Sequence, residues 1–494
     1  MKTKKDVGKS LSDYFVLLIN RFIFLGFLLL AIPFLTRILG TVGYGQLNLF
    51  ILVADIAFIC IVSWTSVAVF RFGKEEYIKE GRLNEVFWAR NIILFFALSV
   101  SIFLILFLRR EIDKYTQINL SYILVIVFLF TQTILDYNQY ILQAVGKLKF
   151  SSLIKIISQL IFLILVLGMF FIGVKKVFYI LVILVISRLV AMVASFKWIS
   201  FGWFLPIRTN KNILKKILFF YYPLMFRAIS AYIINYVDLM VIKKYLLVSD
   251  VGIYSLSYNL MRFFGQTVMV VITVTGPILI GLWTEGRQDI IKTYLKRLTP
   301  QGIFFWSIVL TISILLLPFF VPIIFGEEFS PSVMSAQILL VGLVFNGIAC
   351  FYSGVLTAYK MVKLIAIVNI SMAVLNLVGD VLLVPIMGIK GAAISSAISF
   401  SLGGIGYMYL GNKKLNIKEV KSIIFFVPTA ITFMGMLHNV NLFILCIVNV
   451  LIYYFILITL KLFNSSDVEL LNHIDMPPKI RKIIYKMYYI LGVG

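Results

Sequence analysis

The chain has 494 residues, of which 61% are hydrophobic and only 13% charged; that composition excludes a soluble globular protein and describes a polytopic membrane protein. The formal net charge of +24 does not imply nucleic acid, because the basic residues sit mostly in short segments between apolar runs, where membrane sidedness and anionic headgroups account for them. Cys60, Cys350 and Cys446 all lie inside apolar runs and read as reduced packing residues, and His438 and His473 form no motif, so neither a disulfide set nor a metal site is expected.

The opening MKTKKDVGKSLSDYF is basic, lacks a small-residue cleavage site and reads as a cytoplasmic lead into the first span. Hydropathy then places fourteen spans, at 11–38, 45–72, 85–108, 118–144, 151–173, 178–203, 217–247, 250–283, 297–323, 331–359, 361–386, 390–411, 421–438 and 441–463. Span 1 carries Arg21, about 15 Å from one membrane face at the helical rise, and span 2 carries Asp55, about as deep from the other. Between them lies TVGYG at Thr41–Gly45, read as an outer turn. Arg90 in span 3 and Lys197 in span 6 lie nearer the inner face and are expected to snorkel. In span 4, Gln132, Asp136, Gln139 and Gln143 share one face, as the lining of an inner mouth or as interhelical hydrogen bonding. Arg188 in span 6 is near mid-depth, either facing water or packed against backbone carbonyls.

The segment 204–216, FLPIRTNKNILKK, reads as a linker. It separates an N-terminal lobe, 1–203, from a C-terminal lobe, 217–411; two extra spans within 412–463 and a basic tail, 464–494, follow. The tail mixes basic and aromatic residues, as an interfacial helix or a disordered arm would. The second lobe echoes the first. Arg227 precedes a turn, SDVGIY at Ser249–Tyr254, much as Arg21 precedes TVGYG. Six spans per lobe make the repeats parallel.

Spans 7 and 8 concentrate the polar residues. Arg227, Ser230, Asn235 and Asp238 follow a helical period, and so do Ser255, Tyr258, Asn259, Arg262 and Gln266. Two such stripes fit a wet cavity, or a polar seam joining helices. Four mid-depth arginines, Arg21, Arg188, Arg227 and Arg262, against the single Asp55 favour a cavity that receives an anion. Asp55 is either a structural partner for an arginine or a proton carrier. Glu327 and Glu328 read as solvated loop residues, and Asp238 and Asp380 lie toward the outer ends of their spans.

Sidedness follows from counting. With both termini inside, thirty Lys and Arg fall on the inner side, nine on the outer and six within spans, out of 45, so cytoplasmic termini are expected. No HExxH, GxSxG, phosphate-binding loop or dinucleotide fingerprint is present. No enzyme activity and no cofactor are therefore expected, and any transport is expected to be driven by an H+ or Na+ gradient.

The stretches LTRILGTVGYGQLNLF, DLMVIKKYLLVSDVGIYSLSYNLMRF, FGEEFSPSVMSAQILLVGLVFN and NLVGDVLLVPIMGIKGAAISSAIS, in that order across spans 1 to 12, together resemble the Wzx-type polysaccharide-unit flippases of the multidrug/oligosaccharidyl-lipid/polysaccharide exporter superfamily. The resemblance implies two six-helix lobes around a central cavity lined by spans 1, 2, 7 and 8. It implies transport of undecaprenyl-pyrophosphate-linked oligosaccharide across the bacterial inner membrane for O-antigen, capsule or exopolysaccharide assembly. A glycan polymerase and a chain-length regulator become candidate partners. Arg21, Arg227, Arg262 and Arg188 would hold the pyrophosphate, and Asp55, Asn235, Asp238, Tyr258, Asn259 and Gln266 would face the cavity. The alternatives are a flippase for a peptidoglycan or teichoic-type precursor, and a multidrug/cation antiporter of the same superfamily; the net positive charge at mid-depth argues against the antiporter.

Overall fold

The computed structural model describes residues 4–208, 210–464 and 485, with the side chains of 4–18, 68, 220–228, 230–231, 270–274 and 277 outside that description. Every regular element among them is helical, as the composition requires. In chain order the α-helices are α1 (Lys4–Asp55), α2 (Ser63–Ala68), α3 (Lys74–Glu80), α4 (Asn84–Phe107), α5 (Arg109–Thr116), α6 (Ser121–Ala144), α7 (Leu148–Ile172), α8 (Val177–Ser195) and α9 (Lys211–Tyr245). They continue as α10 (Val248–Thr284), α11 (Gln288–Thr293), α12 (Thr299–Phe325), α13 (Ser332–Ala358), α14 (Val362–Met387), α15 (Ile389–Leu415), α16 (Phe426–Leu437) and α17 (Leu442–Leu460). Two π-helical segments, Ile56–Val62 and Val69–Gly73, flank α2.

Ten stretches of the described residues are long and apolar enough to cross a membrane, so this is a multi-pass membrane protein. Fourteen spans are compatible with that set. The stretch Ile19–Glu80 runs for 62 residues and covers two expected spans. Helices α9 and α10 fall on spans 7 and 8, and the shorter apolar helix Lys421–Leu437 falls on span 13. The basic tail lies outside the described residues.

Helix starts are set by short polar side chains that satisfy the unpaired N–H groups of the first turn. Glu76 accepts from the Glu85 and Val86 amides at 2.8 and 3.0 Å and opens α4. Asp113 accepts from the Leu120 and Tyr122 amides at 3.1 and 3.3 Å and opens α6. Asn210 and Asn441 cap α9 and α17 through the Asn212 and Phe443 amides, at 2.9 and 2.8 Å.

The chain packs as two compact units. The first holds the helices up to Ser255, within α10, together with Ile323–Phe329; the second holds Leu256–Pro322 and the chain from Ser330 on. In the first unit a core of Val69, Leu83, Leu135, Ile141, Leu142, Ile154 and Ala191 joins α6, α7 and α8 to the second π-helical segment. In the second unit α13 is central, apolar on nearly every face and buried along most of its length. A Cβ at Gly342 would stand 2.6 Å from the Ala397 Cα, so the side chain has to be absent for α13 and α15 to approach this closely. Pro318, inside α12, has no N–H and leaves the Ile314 carbonyl four residues back without its helical donor. Gln337 on α13 fills the gap, donating Nε2 to that oxygen at 3.0 Å.

Candidate functional site

The two Val-Gly stretches are not turns. Helix α1 breaks at Gly40, whose φ of 61° is costly for any residue with a Cβ, and Thr41–Gly45 is the first helical turn after the break. Likewise Ser249–Gly252 lies in the first turns of α10, where Asp250 accepts from the Leu247 amide at 3.0 Å. The glycines instead serve close approach. A Cβ on Gly45 would overlap the Val248 carbonyl oxygen, and one on Gly252 would overlap that of Thr41. The echo in the sequence thus marks one backbone-to-backbone crossing of α1 and α10 inside the first unit.

Below that crossing α1 meets α9. Tyr232 Oη donates to the Leu52 carbonyl at 2.7 Å, and Tyr236 Oη donates to the Asp55 carboxylate. The two rings stand 4.8 Å apart. Asp55 is half-buried and immediately precedes the π-helical segment Ile56–Val62, a departure from regular helix that commonly accompanies functional positions. Asp238, two residues beyond Tyr236 on α9, is buried and accepts from the Tyr254 hydroxyl.

The arginines differ in setting. Arg21 is half-buried on α1. Arg188 on α8 donates Nε to Gln132 Oε1 at 2.9 Å and lies 3.9 Å from the centre of the Phe128 ring. Its buried Nη1 has no partner among the described residues. In the second unit Arg262 is exposed, 5.9 Å from the Tyr258 ring centre. Tyr258 is buried, while Asn259 and Gln266 are half-buried. Asn235, back in the first unit, is exposed. The side chain of Arg227 lies outside the described residues, and so does that of Ser230.

The α6 stripe acts between helices at both ends, Gln132 with Arg188 and Gln143 with Ser151 at 3.0 Å. Arg90 does not snorkel. It is 0% exposed, with its guanidinium 3.8 Å from the Tyr137 ring centre and Nη2 donating to Ser66 Oγ at 3.0 Å. The aromatic face takes the place of water for the cation. Lys197 is exposed, as a snorkelling side chain would be.

The second unit holds a polar cluster that depth along a span did not single out. Asp380 is fully buried and Asn376 nearly so, on α14, and Ser395, Ser396 and Ser399 are buried on α15. Ser395 Oγ donates to the Asn376 carbonyl at 2.8 Å. The four-residue step from Asn376 to Asp380, followed by three serines in the next span, was the available signal. Oxygen donors of this kind suit a hard cation or a proton, although no three His, Cys, Asp or Glu side chains come together among the described residues.

Comparison with known proteins bears on this arrangement. Residues 10–283 match the family model described as "Polysaccharide biosynthesis protein". No curated protein matches. Among solved structures, the lipid II flippase MurJ in an inward closed conformation aligns over 90% of this chain and 98% of its own, at 13% identity and a TM-score of 0.69. An inward-facing multidrug resistance MATE family transporter of the MOP superfamily covers 79% of this chain and 94% of its own, at 17% identity and TM-score 0.64. The MATE transporter VcmN of Vibrio cholerae, in its bent form, covers 82% and 97%, at 15% identity and TM-score 0.51. At these identities the likeness is one of fold.

Proposed function

We propose that this chain, which belongs to the polysaccharide biosynthesis protein family, is a flippase that moves undecaprenyl-pyrophosphate-linked oligosaccharide units from the inner to the outer leaflet of the bacterial plasma membrane. The observation that carries the reading is a polysaccharide-biosynthesis family match on a chain whose fold, over 90% of its length, is that of a lipid II flippase. The physics is consistent with it. The polyprenyl tail can stay in the bilayer while the charged, hydroxylated head cannot cross unaided. Guanidinium groups hold phosphate oxygens through paired N–H donors. Arg21, Arg188, Arg227 and Arg262 are assigned to the pyrophosphate, and Asp55, Asn235, Asp238, Tyr258, Asn259 and Gln266 to the saccharide or to orienting the arginines. A proton or sodium gradient drives alternating access, and a glycan polymerase and chain-length regulator act on the product.

The test is a clean deletion in a strain with no second flippase. Lipid-linked glycan should accumulate accessible from the cytoplasmic side only, and surface polysaccharide should disappear. Normal surface glycan would refute the proposal. The MurJ-like fold favours one second reading, a flippase for lipid II itself. It would show as a block in cell-wall synthesis and loss of viability, with the surface polysaccharide made normally until growth stops.

A further inference from the structure

We propose that the first unit carries a second, peripheral site, an apolar groove with a basic mouth that takes the phosphate and adjoining isoprenoid of a polyprenyl phosphate. The groove has a volume of about 720 Å³. Its walls are Val53, Ile56 and Cys60 on one side and Leu104, Ile105 and Leu108 at the end of α4 on the other. Its rim carries Lys114 and Tyr115 of α5, Lys243 near the end of α9, Gln117 and Glu111.

Three observations select the occupant. First, α5 reads RREIDKYT, with Ile112 and Thr116 buried and Arg109, Arg110 and Lys114 exposed, as in a helix lying at headgroup level. Second, basic residues are scarce on this side of the membrane. By the sequence count only nine fall there, and five of them, Arg109, Arg110, Lys114, Lys243 and Lys244, lie on the two elements that frame the mouth. Positive charge kept where sidedness disfavours it points to an anionic ligand. Third, Lys114 and Lys243 with their neighbours Arg109, Arg110 and Lys244 set five cationic groups against the Glu111 and Asp113 carboxylates of α5, an excess that suits a terminal phosphate, which carries about 1.5 to 2 negative charges, better than the single charge of a phosphodiester lipid.

This site rests on the reading of the chain as a carrier of polyprenyl-linked saccharides, and it would hold the lipid on the outer leaflet, apart from the arginines. Its test does not need transport. Cys60 lines the groove and is half-buried. In a Cys350→Ala/Cys446→Ser variant it is the single thiol, and its alkylation by a maleimide can be followed by intact-mass spectrometry in detergent micelles. Undecaprenyl phosphate should slow alkylation about tenfold, the scale of a modest charge-assisted contact, while undecaprenol and phosphatidylglycerol at the same mole fraction should not. Adding Lys114→Gln and Lys243→Gln should remove the protection without changing the rate in lipid-free micelles. No slowing, or equal slowing by undecaprenol or phosphatidylglycerol, overturns the site. The comparison of phosphate with alcohol decides this even if the lysine variant is unstable. Surface glycan made normally by a protein whose Cys60 is never protected would sink the groove and leave the flippase reading standing. Protection without any export in vivo would do the reverse.

Discussion

Charge matters at the residue scale, and its settings differ from site to site. Arg262 stands exposed and Arg21 half-buried, where each can meet a phosphate. Replacing either by Ala should abolish export at normal levels of folded protein. Lys should restore part of it, since a point charge still attracts phosphate but lacks the guanidinium fork. Export assayed beside the amount of protein in the membrane checks this, and full export by both Ala variants would remove them from the site. Arg90 is the opposite case. Its depth in the sequence suggested a side chain reaching for water, but it is completely buried, with the Tyr137 ring against its guanidinium and Ser66 accepting one N–H. Tyr137→Leu should cost about 2 kcal/mol, the value of a desolvated cation–π contact, and Tyr137→Phe should be nearly neutral because it keeps the ring. Thermal unfolding in detergent distinguishes the two, and equal losses would show that the ring is not what holds the cation. Sequence spacing gives a residue's depth. Whether a charge at that depth finds an aromatic face is decided by a distant neighbour on another helix, which depth along a span does not reveal.

At the scale of elements, helix content and most span positions were legible because apolar runs of this length have few other uses. The role of the Val-Gly stretches was legible only as an echo. Glycine next to a polar residue reads as a turn, and only the crossing of α1 and α10 shows that Gly45 and Gly252 are needed because each meets a backbone carbonyl. A backbone atom cannot step aside as a flexible side chain can. Gly45→Ala and Gly252→Ala should therefore each lower the yield of folded protein or shift α10, with losses at the upper end for overpacking, about 3 kcal/mol. Gly168→Ala, which meets nothing within 4 Å, should be neutral or stabilise by up to about 1 kcal/mol. Unfolding temperatures of the three variants decide the matter, and a harmless Gly252→Ala would mean that the crossing is looser than described. The partnership of Pro318 and Gln337 was hidden for a similar reason: the proline announces a missing donor, but the residue that supplies it belongs to another helix.

For the whole molecule, sidedness is argued from charge. Thirty basic residues against nine predict that both termini and the Leu205–Lys216 linker face the inside. The linker can be probed without disturbing its neighbours if the position is chosen with care. Asn210 caps α9, and its replacement would cost about 1 kcal/mol, whereas Ile207 is 63% exposed. In a Cys60→Ala/Cys446→Ser background, which removes the half-buried groove thiol and the exposed one, Ile207→Cys should resist a membrane-impermeant maleimide in intact cells and react after permeabilisation. Lys175→Cys, at the opposite end of its span, should react in intact cells. The reverse pattern would invert the topology, and the proposed polyprenyl phosphate groove would then lie on the cytoplasmic leaflet, where its five basic residues would be ordinary and no longer point to a ligand. One pair of labelling reactions therefore bears on both the direction of transport and the reason for that cluster.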